Sequence, residues 1–265
     1  MKIYLHTDLE GVSGIVDLDT IVIPEGRGMM YTKELLTEEV NAVIRGIRKV
    51  DAEAEIVVQD GHCGGWWGPN IIVEKLESNA KIIHGKRGSE VVGLDSSFDL
   101  LMFIGAHSMA GTRNGLLCHT IALDRIHNIF VNGKPYGEIG LVAAFAGQHG
   151  VPVGLVSGDY WAVIEAQELL GTIEGVVVKK GINFNTAECL SPTVTKRMLE
   201  DSAVKAVSRV KDFQPLTTGN SIELKIEYIK TSDADNAERR GATRFDGRTV
   251  VFKGNNILDV IDCIF

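Results

Sequence analysis

The sequence predicts an α/β protein: a mostly parallel, doubly wound sheet, followed by a smaller C-terminal α+β domain. Three observations carry this expectation. Short apolar runs alternate with segments of helical periodicity as far as about residue 190, the pattern of a sheet with helices on both faces. The run from Phe98 to Ile104 is almost continuously apolar, as a strand buried on both sides is. From Ser191 the texture changes, and Ile222 to Tyr228 alternates apolar and polar residues like a strand with one face in water. The boundary between the two parts is placed between residues 190 and 191.

The elements follow in order. An apolar strand opens at Lys2 and runs toward Thr7-Asp8-Leu9-Glu10, with Gly11 and Gly14 behind it to permit a tight turn. A loop around Asp17 to Met29 leads to a helix over Thr32 to Lys49. There Leu36, Val40, Val43 and Ile47 recur at helical spacing and Thr32 is a candidate cap. Ile56 to Asp60 is a short buried strand that meets Gly61-His62. A glycine-rich loop with Trp66 and Trp67 comes next, then a short helix through Leu76 and a strand near Lys81 to Gly85. The Phe98–Ile104 strand ends at Gly105-Ala106-His107, and a loop from Ser108 brings the chain to Leu117-Cys118-His119-Thr120. Asn128 to Val131 meets Asn132-Gly133, the strongest short hairpin signal. A helix starts at Gly137-Glu138 and stops near Gly150. Val151 to Val156 is a strand, Asp159 caps a helix over Tyr160 to Leu170, and Gly175 to Lys180 completes the alternation. In the tail, a helix led by Ser191-Pro192 runs to about Val210, strands cover 222–228 and 249–252, and a last helix begins at Asn256. No internal repeat or low-complexity linker interrupts the chain.

Composition narrows the partners. Of 265 residues, 27 are Lys or Arg and 35 are Asp or Glu, a formal charge of -8 that argues against nucleic acid and against an anionic membrane surface. Hydrophobic residues at 45% and charged residues at 23% are an ordinary globular balance. No apolar run is long enough to span a bilayer, and no basic and apolar leader precedes the first strand. Cys63, Cys118, Cys189 and Cys263 form no Cys-x-x-Cys pair and read as scattered thiols of a reducing compartment, so a cytoplasmic protein is expected.

Several residues suited to metal coordination fall at strand ends, where ligands bind in open α/β sheets. Asp8 and Glu10 are two apart and share one side of an extended chain. His62 and His107 each follow a strand, and Glu138 opens a helix from which it can join them. Oxygen and imidazole donors suit zinc and its neighbours better than calcium. Three carboxylates and two histidines suffice for two divalent ions with one carboxylate between them, and the surplus positive charge favours a bound hydroxide.

The segments Thr7-Asp8-Leu9-Glu10-Gly11, Asp60-Gly61-His62, Gly105-Ala106-His107, Cys118-His119 and Gly137-Glu138-Ile139-Gly140 together resemble the DppA-type D-aminopeptidases, peptidase family M55. Cys189-Leu190-Ser191-Pro192 resembles the same family. No single motif is specific, but five in this order over most of the chain are specific together. The resemblance implies two zinc ions per chain, held by Asp8, Glu10, His62, His107 and Glu138 with Asp8 as the bridge. It implies that His119 is a catalytic histidine outside the metal ligands, and that the protein forms a ring-like homo-oligomer, a homodecamer, enclosing its active sites. Trp66 and Trp67 depart from the family pattern by their bulk, which bears on the range of substrates.

The expected activity is therefore a di-zinc aminopeptidase acting on short peptides with a free N-terminus, including those built with D-amino acids. The alternatives are a metal-dependent amidase or esterase of other small substrates, and a non-catalytic metal-bound binding protein. A proton-handling His119 favours an enzyme over a binder. The same residues also have structural readings. His119 can be a hydrogen-bonding residue only, Asp60 either a turn residue or a support for His62, and Glu138 a favourable acid in a first helical turn. His6, His84, His127 and His149 are read as structural or exposed.

Overall fold

The chain builds, in order, β1 (Lys2–Thr7), α1 (Arg27–Val50), β2 (Glu55–Asp60), β3 (Ala80–Ile83), β4 (Leu100–Ala106), β5 (Ile126–Val131), β6 (Lys134–Pro135) and α2 (Glu138–Gln148). It continues through β7 (Val153–Asp159), α3 (Tyr160–Leu170), β8 (Glu174–Asn183), β9 (Thr186–Cys189), α4 (Pro192–Ser208), β10 (Ile222–Tyr228), α5 (Thr231–Arg239), β11 (Thr243–Arg244) and β12 (Thr249–Gly254). These come from a computed structural model that describes residues 1–18, 27–65, 69–85 and 89–265.

A seven-stranded sheet has the order β3-β2-β1-β4-β7-β8-β9, parallel except for β9. The chain steps outward from β1 to β3, then crosses back so that β4 lies on the other side of β1. The sheet thus reverses its winding between β1 and β4, and the crevice beyond their carboxyl ends is where such sheets bind ligands. β4 and β7 are buried at every residue, which explains the continuous apolar run at Phe98–Ile104. One helix pair, α1 with α4, packs on β4, β7 and β8, as do α2 and α3.

A second, antiparallel sheet has the order β11-β12-β10-β5-β6. Its membership does not follow chain order. The Asn132-Gly133 hairpin forms as expected, with φ of 50° and 79° at its two turn residues. Yet β5 pairs with β10, so residues on both sides of position 190 make this sheet. Conversely, α4 lies after position 190 and packs on α1 in the first layer. Helix α2 stands between the two cores: Ile139, Val142, Ala143 and Ala146 join one, Leu141 and Ala144 the other. A helix that is apolar all round is held on every side, and this one carries Glu138 on its first turn.

Three local expectations change. Helix α1 is already formed at Arg27, and Thr32 lies inside it, with its hydroxyl donating to the Met29 carbonyl at 2.9 Å rather than capping the start. Asp159 occupies the residue before α3, but its Oδ1 accepts the Gly181 N–H at 2.7 Å. The helix expected from Asn256 is two short 3-10 turns, Ile257–Asp259 and Ile261–Ile264, the first held by reciprocal bonds of Asn256 and Asp259. Among the described residues, no helix is long and apolar enough to cross a membrane. Trp66 and Trp67 lie outside the described residues.

Candidate metal centre

The tips of β1 and β4 touch where the ligand crevice begins. The Asp8 N–H donates to the Ile104 carbonyl at 2.9 Å, and the Gly11 N–H to the Gly105 carbonyl at 2.8 Å. Two glycines permit this approach. A Cβ on Gly11 would stand 2.1 Å from the Ala106 oxygen, and one on Gly105 2.1 Å from the Asp8 oxygen, at a φ of +78° that side chains avoid. Asp8, Glu10 and His107 leave the sheet at this contact.

His62 arrives from the end of β2. Its carbonyl accepts from Asn70 Nδ2 at 3.0 Å, and Asn70 is gripped by both Asp60 oxygens, at 2.6 and 2.8 Å. Asp60 therefore supports His62 through Asn70 and the backbone, not by touching the ring. Glu138 comes from the other side on α2, its Oε1 accepting the Ile121 N–H at 2.6 Å. His119 is delivered by the loop that follows β4.

All six residues singled out in the sequence meet at one place. His62 Nδ1 lies 3.1 Å from Asp8 Oδ1 and 3.0 Å from Glu10 Oε2. His107 Nε2 lies 3.4 Å from Asp8 Oδ2 and 3.3 Å from Glu138 Oε1. His119 Nε2 stands 3.8 Å from the same Glu138 oxygen. Donors of Asp8, Glu10 and His107 lie within 4.8 Å of one another, and so do donors of His107, His119 and Glu138. The two histidines of the loop region have fixed orientations. His107 Nδ1 donates to the Ser108 carbonyl at 2.9 Å and His119 Nδ1 to the Leu117 carbonyl at 2.8 Å, which turns each Nε2 toward the acids.

This donor set fits small divalent ions. Zinc holds nitrogen and oxygen at about 2.0–2.1 Å, so two donors on one tetrahedral ion are separated by about 3.3 Å. The separations around Asp8 fall close to that edge. Asp8 Oδ2 and His107 Nε2 are buried and without a hydrogen-bond partner, although they face each other. Buried polar atoms are seldom left so unless another group engages them. Three carboxylates, Asp8, Glu10 and Glu138, are at most 9% exposed, and burying each as an ion costs several kcal/mol unless positive charge is near.

Protons and metal compete for the same donors. Burial alone would push the Glu10 and Glu138 carboxyls up. His62 beside Glu10, and His107 beside Glu138, outweigh burial and hold Glu10 well below and Glu138 below the ordinary range. Burial likewise opposes charge on the imidazoles, but the acids hold His62 and His107 well above theirs. A cluster that attracts protons this strongly attracts cations for the same reason. A cavity of about 80 Å³ opens onto Asp8, Glu10, His62, His119 and Glu138.

Three residues were not singled out by the sequence. Glu90 lines the cavity and pairs with the buried His6 at 3.2 Å. Asn70 anchors His62. Lys179 is buried behind Glu10, and burial pulls its pKa down to about 8. Nothing in the sequence separates it from the exposed Lys180 beside it. Of the remaining histidines, His84 and His127 are exposed and His149 is half-buried beside Phe145.

Acid and imidazole donors gathered at the switch point of a parallel sheet are the donor set a metallohydrolase uses. Comparison with known proteins narrows the class: the chain belongs to the D-aminopeptidase family, peptidase family M55, whose model matches residues 1–265. It is 34% identical over 269 residues to the D-aminopeptidase of Bacillus subtilis (strain 168), covering 98% of this chain and 93% of that protein. Among solved structures it is similar to the Zn-dependent D-aminopeptidase DppA from Bacillus subtilis, described as a self-compartmentalizing protease. The TM-score is 0.93 at 32% identity, over 100% of this chain and 95% of that one.

Proposed function

We propose that this chain is a zinc-dependent aminopeptidase that removes the N-terminal residue, in the D configuration, from short peptides. The observation that carries the reading is Asp8, whose two oxygens face two different histidines at 3.1 and 3.4 Å. In this reading Asp8, Glu10, His62, His107 and Glu138 would hold two zinc ions, with Asp8 shared between a site beside His62 and Glu10 and a site beside His107 and Glu138. Bound zinc supplies a Lewis acid for the scissile carbonyl and brings the pKa of a bound water near neutrality.

The protein's own groups do the rest. Glu10, Asp8 and Glu138 keep the site anionic enough to hold two cations. His107 and His62 present fixed imidazole nitrogens. His119 stays outside the ligands. Its Nδ1–H is committed to the Leu117 carbonyl, so Nε2 can take a proton and return it to the leaving amine, or, protonated, donate to the oxyanion that develops on the carbonyl. Its side chain is 12% exposed against 1% for His107, as a group that meets substrate requires.

In this reading the chain also assembles into a ring-like homo-oligomer, a decamer, that encloses its active sites. Phe245 and Ile182, 72% and 57% exposed, are apolar surface available to such contacts. Cys63, Cys118, Cys189 and Cys263 are all free, which suits a reducing, cytoplasmic setting.

Release of amino acid from a panel of dipeptides differing in the chirality of the first residue, with and without chelator, tests the activity. The reading requires turnover of free-amine D-peptides that stops with chelator and returns with zinc. Equal cleavage of N-acetylated peptides would contradict it.

A further inference from the structure

Lys179 is 1% exposed, and the chemistry described above makes no use of it. A lysine ammonium offers three N–H donors and no acceptor. All three find backbone here: Nζ donates to the carbonyls of Glu10, of Val12 at 2.7 Å, and of Ile15. These carbonyls belong to one turn, the segment that carries Glu10 away from β1. Lys179 itself sits on β8, three strands from β1, opposite Asp159 of β7 and Cys189 of β9. The tie therefore reaches across the carboxyl ends of β4 and β7.

Other contacts restrain the same turn. The Gly11 N–H meets the Gly105 carbonyl, the Ser13 N–H meets Glu39 Oε1 at 3.1 Å, and the Ser13 hydroxyl meets the Leu190 carbonyl at 2.6 Å. Within the turn the Val12 N–H donates to the Leu9 carbonyl at 3.1 Å and the Ile15 N–H to the Val12 carbonyl at 3.2 Å. Lys179 adds the tie that draws the Glu10, Val12 and Ile15 carbonyls to a single point. Taking an ammonium out of water is costly. A cation, moreover, places positive charge on the backbone carbonyl of Glu10, which a neutral donor would not.

We propose that Lys179 is a positioning residue for the metal centre. By closing three carbonyls of the Glu10–Ile15 turn around one ammonium, it fixes the direction in which Glu10 presents its carboxylate to the ion shared with His62. This role rests on the zinc reading above.

The test is zinc affinity of the full-length protein, measured at each site by competition with a chromophoric chelator. Lys179→Met keeps the stem and removes the ammonium. Loss of a group that orients a ligand typically weakens metal binding about 10–100-fold. That loss is expected at the Glu10–His62 site, with the His107–Glu138 site changed less than about twofold. In a Glu10→Gln background, adding Lys179→Met should change zinc affinity no further, because the residue it positions is already disabled. Unchanged affinity in Lys179→Met, equal weakening of both sites, or additive losses in the double variant would overturn the role, since a general structural contribution gives one of these. Should Lys179→Met not fold, Lys179→Gln, with two N–H donors on a shorter stem, is held to the same criteria. An unsubstituted protein that binds no zinc would overturn the zinc reading, and this role with it.

Discussion

His107 and His119 lie ring on ring, with centroids 4.0 Å apart and planes inclined by 12°. Each is oriented by a backbone carbonyl at Nδ1, and each turns Nε2 toward Glu138 Oε1, at 3.3 and 3.8 Å. The stack restrains His119 beside the donor set, and its greater exposure leaves it open to the cavity.

This pair gives the first prediction. His62→Ala and His107→Ala remove a donor, so both zinc and activity should be lost. His119→Ala should retain its zinc and lose turnover by about 10²–10⁴-fold, the usual worth of general acid–base help or an oxyanion donor. The loss should appear in kcat with KM little changed. Metal analysis beside steady-state kinetics checks it. A His119→Ala protein that has lost zinc would make His119 a ligand.

The second prediction concerns stability. Without cations the site confines Asp8, Glu10 and Glu138 around one small cavity. Binding to the folded state alone stabilises it by about 2.7 kcal/mol at a free zinc concentration of 100 Kd. Chelation should therefore lower Tm and added zinc should restore it, read by calorimetry. An unchanged melting curve would contradict a cluster that needs its cations.

Much of this arrangement was legible in the sequence because it is local. Asp8 and Glu10 mark the tip of β1, His107 follows the most apolar strand, and Asn132-Gly133 forces a hairpin. What was not legible depends on distant contacts. The hairpin pairs β5 with β6, but the other edge of β5 pairs with β10, nearly a hundred residues on, where the inward residues Ile129 and Ile226 stand opposite one another in register. Helix α4 packs on α1 in the first layer, although it follows the change in texture. Lys179 and Lys180 are adjacent and alike in sequence, yet the Lys179 ammonium is buried against a turn built near the start of the chain.

A third prediction uses the acid that holds that turn. Burial pushes the Glu39 carboxyl up from 4.5 to about 7, with Ser13 opposing the shift. The folded state then binds a proton that the unfolded state has already released, so stability falls as pH rises from about 4.5 through 7. The penalty at higher pH is at most on the order of 3 kcal/mol. Glu39→Gln keeps an oxygen for the Ser13 N–H and has no charge to bury. At equal zinc it should melt above the unsubstituted protein at pH 8, and the gap should close toward pH 4.5. A gap independent of pH would show that Glu39 titrates normally.

The central claim is that Asp8 joins two zinc ions between His62 and His107. Diffraction at the zinc absorption edge, from crystals of the zinc-loaded protein, tests it most directly. The account predicts two anomalous peaks about 3.5–4 Å apart, one beside Glu10 and His62, the other beside His107 and Glu138, with an Asp8 oxygen on each. A single peak, or a pair of peaks that Asp8 does not bridge, would contradict it.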